Sequence, residues 1–298
     1  MSSEAILAMD NRVKASQTSG FRRFMRVFLS RLVVKFGLII ILLLILTAVF
    51  APLLAPYGYD DQDITQRLQP PSRQHLLGTD SLGRDTLSRI IYGSRVSLEV
   101  GLIVVAISAI VGMSLGLIAG YFGGWTYTII MRIVDALMAF PMLVFNLLIA
   151  AMLGQGMGNV IIALGVGLMP IYARLMCGQV VTVKSNDYIT AGRSIGASDI
   201  RMMLQHVFPN CLPPLIVMIT MMLGSVILAE AALSFLGIGI APPTPAWGGM
   251  VNEGRQYLLD FPILSFAPGL AIMLVVFSFN MVGDGLRDAL DPRLRGVL

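Results

Sequence analysis

Charge is scarce in this sequence: 13% of its 298 residues are Asp, Glu, Lys or Arg, while 56% are hydrophobic. Soluble domains carry nearer a quarter charged, so that class is excluded, and a mean hydropathy of +0.80 marks an integral membrane chain. Cysteine is limited to Cys177 and Cys211, histidine to His75 and His206, and none stands in a Cys-x-x-Cys or Cys/His cluster. No zinc site of usual spacing can be built from them, so no metal is expected and both thiols are expected to be free. A Gly-x4-Gly-Lys-Ser/Thr phosphate loop is missing as well. The chain therefore offers no nucleotide cradle of that kind. The net charge of +4 comes from bases scattered beside apolar runs, a pattern that orients a chain in a bilayer rather than gripping nucleic acid.

What is present is a series of apolar runs of spanning length. The first, Phe36 to Ala55, follows Arg22, Arg23, Arg26, Arg31 and Lys35; it is long for a signal peptide, lacks a small-x-small cleavage site after it, and is expected to remain as an anchor. Five more follow: Val100 to Ala119, Ile129 to Leu153, Val160 to Leu175, Leu212 to Ile240 and Ile263 to Val282. The expected fold is an all-α polytopic membrane protein with six transmembrane helices and both termini inside. With that topology 15 of the 21 Lys and Arg lie inside, leaving Arg67, Arg73, Arg84, Arg89, Arg95 and Arg255 outside.

GMSLGLIAG sets Gly112, Gly116 and Gly120 four residues apart, on one helical face, where another backbone can approach closely. Pro141 and Pro170 each predict a kink in their helices. APPTPAWGGM at 241–250 predicts an outer loop with Trp247 at the membrane interface. Arg132 and Asp135, three apart, are expected to pair, as are Arg287 and Asp291 at i, i+4. Glu230 lies two thirds of the way through the fifth span, where a carboxylate needs protein or water around it. It has either a structural partner or a place on the pathway; Ser234 and Asn280 join it as candidates for pathway or gate.

Between spans four and five stands YITAGRSIGASDIRMMLQHVFPN, a polar stretch on the inner side. Ser198 is a good N-cap with Asp199 in the first turn, Gly196 supplies a hinge after a first short helix, and Pro209 is expected to end a second helix running Asp199 to Phe208. His206 is expected to serve the C-terminal end of that helix. Ile200, Met203, Leu204 and Val207 make its apolar side. Small residues at the turn, Ala191, Gly192, Gly196 and Ala197, leave a tip with little bulk that fits a partner's groove.

This stretch resembles the cytoplasmic loop of the permease subunits of ABC importers, with its spacing Glu-Ala-Ala, three residues, Gly, nine residues, Ile-x-Leu-Pro. Ala191, Gly196 and Pro209 match that pattern; Thr190, Gly192, His206 and Phe208 depart from it in the manner of the dipeptide, oligopeptide and nickel branch. LLGTDSLGRDTLSRIIYGSRVSL at 76–98, AEAALSFLGIGI at 229–240 and FNMVGDGLRDALDPR at 279–293 resemble the C-type permease of that branch, in the same order. The resemblance implies a type I importer permease fold. It divides the chain into an inner segment 1–35, a first helix and outer loop 36–95, a permease core 96–285 with coupling helices at 188–208, and a tail 286–298. It also implies a bacterial inner-membrane location, a second homologous permease, two ATP-binding subunits that carry the ATP and magnesium, and an extracytoplasmic binding protein. The coupling residues it implies are Ala191, Gly192, Arg193, Gly196, Ala197, Ser198, Asp199, His206 and Pro209. Peptides are the expected cargo, with nickel, glutathione or another small solute as alternatives.

Two other function classes find no support in these residues. An intramembrane protease lacks its set: Met281 stands where a Gly-x-Gly-Asp motif needs glycine, and Ser234 has no membrane histidine to activate it. A secondary carrier working without ATP has no use for the hairpin, and the spans offer it little charge for ion coupling.

Overall fold

The computed structural model describes residues 22 and 24–290, and within them the chain is helical with no strand. The main helices are α1 Leu32–Val49, α2 Thr86–Phe122, α3 Gly124–Met138, α4 Met142–Leu153, α5 Met157–Lys184, α6 Asp187–Ser194, α7 Phe208–Phe235, α8 Trp247–Gly254 and α9 Ile263–Leu290. Five helical stretches are long and apolar enough to cross a membrane, and α3 with α4 make a sixth if the bent pair is one span. Asp291 lies outside the described residues, and with it the expected pair to Arg287.

The seam between α2 and α5 is the most extensive helix pairing described. Its cause is the glycine stripe. A Cβ on Gly112 would stand 2.5 Å from the Met169 carbonyl oxygen, one on Gly120 2.9 Å from Val180 Cβ, and one on Gly116 would overlap the Ala173 carbonyl. Only glycine lets the backbones meet so closely, and in lipid such close packing supplies the attraction that water supplies elsewhere. Ser108 Oγ crosses the same seam to the Gly165 carbonyl at 3.0 Å. On the other side, α1 and α9 touch at Gly37 and Gly285, and Arg31 pairs with Asp288 at 2.8 Å.

Several boundaries differ from expectation. Helix α2 starts at Thr86, not near Val100, because the Asp85 carboxylate caps it, accepting from Ser88 N at 2.7 Å. At 37 residues it is about 55 Å long, well beyond the hydrocarbon thickness. The expected kink at Pro141 is a break: α3 and α4 meet at 88°. Pro141 removes a donor and pushes the preceding Phe140 out of the helical region. Pro170, by contrast, is carried inside the continuous α5.

Asp135 pairs with Arg174 of α5 and not with Arg132. Trp247 is not an interfacial aromatic: it is 2% exposed, opens α8, and its indole nitrogen donates to the Ile90 carbonyl at 3.0 Å. It sits in the space left by Gly93, where a Cβ would come 2.6 Å from the indole nitrogen.

Candidate functional site

The hairpin begins with α6, held to the body by Ile189, which is buried. Its end is closed by backbone bonds, Ile195 N to Ala191 O and Ala197 N to Gly192 O, and Gly196 takes φ +85°, the left-handed residue of a helix C-cap. Ser198 then caps the next turn, accepting from Arg201 N at 3.4 Å. Gly192 is half-buried for a packing reason, since a Cβ there would meet Met202 Cε at 2.8 Å. The tip is not bare, as its small residues suggest: Ile195, beside Gly196, is 86% exposed.

The expected helix Asp199 to Phe208 does not stop at Pro209. Asp199–Arg201 is α-helical, Met202–Val207 is a π turn, and α7 continues through Pro209, Pro213 and Pro214. The wide turn just before Pro209 relieves the ring clash and the lost amide bond that would otherwise break the helix. So the hairpin's second arm is the start of a membrane helix. His206 has no helix end to serve; its side chain is exposed and its carbonyl accepts from the Asn210 amide at 2.7 Å. The apolar side divides, with Val207 buried, Met203 half-buried and Ile200 and Leu204 outward; the neighbouring Met202 is buried as well.

A latch missed by the sequence reading holds the hairpin to the bundle. Tyr121, the penultimate residue of α2, is 2% exposed and its hydroxyl donates to Asp199 Oδ1 at 2.7 Å. The Arg193 guanidinium lies over the Tyr121 ring, 5.1 Å from its centroid, and 3.9 Å from Asp199. Lys184, the last residue of α5, donates to the Tyr121 carbonyl. Arg193 and Asp199 are therefore tied to the body although their side chains stay 41% and 61% exposed, and Ala191, Ser194, Ile195, Gly196, Ser198 and Ile200 are exposed with them.

At the opposite end of α7, Glu230 is fully buried and accepts from Ser234 Oγ at 2.8 Å; Ser234 Oγ in turn accepts from Ile240 N at 3.2 Å. Asn280 lies elsewhere: its amide donates to the Val276 carbonyl, and it lines an apolar groove between α7, α8 and α9. The three pathway candidates are thus one pair and one separate residue.

Beside that pair, the loop before α2 is a buried charge network. Arg84, 1% exposed, donates to Asp80 at 2.6 Å and to Glu253 of α8 at 3.1 Å. His75 contacts Asp85 at 2.9 Å, and Arg89 donates to the Tyr59 carbonyl at 3.1 Å. Hydrogen bonds from the Thr65 side chain and backbone hold Asp63 below the usual carboxylate range. This segment is a brace that ties α2 to α8.

Comparison with known proteins gives a consistent answer. Residues 112–296 match the family model described as binding-protein-dependent transport system inner membrane component, and residues 19–71 match the N-terminal TM domain of oligopeptide transport permease C. The dipeptide transport system permease protein DppC of Alkalihalophilus pseudofirmus is 45% identical over 87% of this chain and 85% of its own. The glutathione transport system permease protein GsiD of Escherichia coli is 42% identical over 97% of this chain and 95% of its own. Among solved structures, an inward-facing form of the MetNI methionine ABC transporter superposes with a TM-score of 0.56 at 17% identity, covering 69% of this chain and 97% of that one. That likeness is one of fold.

Proposed function

The chain belongs to the inner-membrane components of binding-protein-dependent transport systems, and from that premise we propose that it forms half of the transmembrane pathway of an ATP-driven peptide importer. It is a multi-pass inner-membrane permease subunit and not an enzyme. The observation that carries the finer reading is the hairpin: a short exposed element whose far arm is the start of α7 and whose flank is latched to α2, which Lys184 in turn ties to α5. A push on Ile195, Gly196 and Ile200 would reach three membrane helices without passing through a flexible linker.

In this reading the hairpin faces the cytoplasm and rests on one of two ATP-binding subunits, which hold ATP and magnesium. A second, homologous permease completes the pathway, and an extracytoplasmic binding protein delivers the solute to the end where α8 and the brace lie. Di- and oligopeptides are the proposed cargo, supported by the dipeptide-system relative. Glutathione, itself a small peptide, is the second reading, supported by the relative that spans nearly the whole chain.

The test is purification of the tagged chain with whatever accompanies it, reconstitution with a co-purified or separately supplied binding protein, and uptake of radiolabelled dipeptide and glutathione. ATP-dependent accumulation of one and not the other decides the cargo. Accumulation without ATP would replace the reading with that of a secondary carrier.

A further inference from the structure

At the hairpin end of the bundle, α5, α7 and α9 enclose a groove of about 600 Å³. Its polar side chains are Gln179, Asn210 and Arg287, and each lies within about two turns of the end of its own helix. From that rim the floor runs along α7 by way of Pro213, Pro214, Val217 and Met218 to Met221, with Leu175 of α5 beside it. Asn210 to Met221 is a rise of about 16 Å, and no polar side chain lines the groove beyond the rim. Among the described residues, Arg287 is the one charged group in the lining, and it is exposed. Of its neighbours on α9, Asp288 is turned to Arg31 at 2.8 Å and Asp284 does not line the groove. The rim also offers acceptors. Asn210 gives its amide nitrogen to the His206 carbonyl at 2.7 Å, which leaves its oxygen. Pro213 and Pro214 have no amide hydrogen to give the Pro209 and Asn210 carbonyls four residues before them.

Polarity at one end only selects the occupant. A peptide carries amides along its whole length, and over most of this groove they would meet side-chain carbon and go unpaired, which is costly. A phospholipid is polar at one end. Its phosphate complements the guanidinium of Arg287, and the hydroxyls of a glycerol headgroup donate to the acceptors beside it. A zwitterionic headgroup would bring an ammonium with no lining carboxylate to receive it. The volume is that of a small-molecule site, enough for a headgroup and the upper part of one chain. We propose that the groove binds an anionic phospholipid, with its phosphate on Arg287, its headgroup hydroxyls toward Asn210 and Gln179, and an acyl chain along Val217, Met218 and Met221. Bound in this way, the lipid joins the ends of α5, α7 and α9 at the root of the hairpin's far arm. The proposal does not depend on which solute the chain carries.

The experiment places the complete assembly in nanodiscs of phosphatidylethanolamine with a small fraction of phosphatidylglycerol that carries a diazirine on its acyl chain, and illuminates it. Mass spectrometry should locate the label on Val217, Met218 or Met221, well above its level on Leu32 and Phe36, which α1 exposes. Excess unlabelled phosphatidylglycerol should suppress the groove label, and glycerol 3-phosphate, which has the phosphate without a chain, should not. Arg287→Gln should lower the groove label about tenfold, the factor of a lost hydrogen bond to a charged group, and leave the α1 label as it was. Met218→Trp fills the floor at a half-buried position and keeps the rim, and it should lower the groove label as well. Equal labelling of groove and α1 would make this ordinary lipid contact, and an unlabelled groove would mean that a neighbouring subunit covers it. Suppression by dipeptide would make the groove part of a solute path, and suppression by glycerol 3-phosphate would make it a site for soluble phosphate. Any of these four results, or an Arg287→Gln assembly labelled as strongly as the unaltered one, overturns the proposal.

Discussion

The Tyr121 hydroxyl donates to Asp199 Oδ1 at 2.7 Å across 78 residues of sequence, joining the end of one membrane helix to the start of the arm that becomes another. Arg193 stacks on the same ring, so a Tyr121→Phe protein keeps the stacking and the burial and loses only the hydroxyl. A hydrogen bond to a charged group is worth about 1.5–3 kcal/mol, less here because the Asp199 side chain is 61% exposed. The expected outcome is normal membrane insertion and normal assembly with several-fold less solute moved per ATP hydrolysed. Parallel uptake and ATPase assays on the same proteoliposomes measure that ratio.

Gly196 separates backbone strain from docking. Its φ of +85° disfavours any side chain, yet nothing lies within 4 Å of the place a Cβ would take. Gly196→Asn, a residue that tolerates the left-handed region, should therefore retain most uptake. Gly196→Trp, bulkier and less tolerant of that φ than Asn, should insert normally and lose ATP-coupled uptake if the tip docks on the proposed ATP-binding subunit. Equal activity of the two variants would remove the docking role from the tip.

The α2–α5 seam predicts a contrast between two glycines. Gly116→Leu places side-chain atoms in the Ala173 backbone, and overpacking of this kind costs about 1–3 kcal/mol or more. Gly178→Leu, on α5 with open space around it, should be neutral. Thermal unfolding in detergent, followed by loss of monodisperse protein, should show a lowered midpoint for the first and none for the second.

Arg84→Met tests the brace. It leaves Asp80 buried without its closest cation, a change that costs about 3–5 kcal/mol when a buried pair loses one member. The expected signs are a lowered unfolding midpoint and faster proteolysis within 57–85, with the hairpin segment cut no faster than before. Unchanged proteolysis of the loop would show that the brace does not depend on this pair.

The hairpin was readable because its signals are local: a serine cap, a glycine turn and a helical apolar period within some twenty residues. The glycine stripe is equally local, and its packing role follows from spacing alone, though not the identity of α5 as its partner. Pro209 misleads because a proline stops an α-helix, and nothing in the sequence announces the π turn that accommodates it. Asp135 has Arg132 at a pairing distance in sequence, yet its partner is Arg174, brought there by tertiary packing. Tyr121 carries no signal of its own, for an aromatic at a helix end is ordinary in membrane proteins. Its role depends on where a segment 78 residues away comes to rest.

Helix α2 is gripped at both ends, by Asp85 and the brace at its first turn and by Asp199 through Tyr121 at its last. A rod about 55 Å long, held at both ends, puts the hairpin and the outer brace in one mechanical element. In the importer proposed above, a displacement of the hairpin would travel to the brace along α2 without crossing a loop. The two ends of the pathway would then be coupled by the length of a single helix.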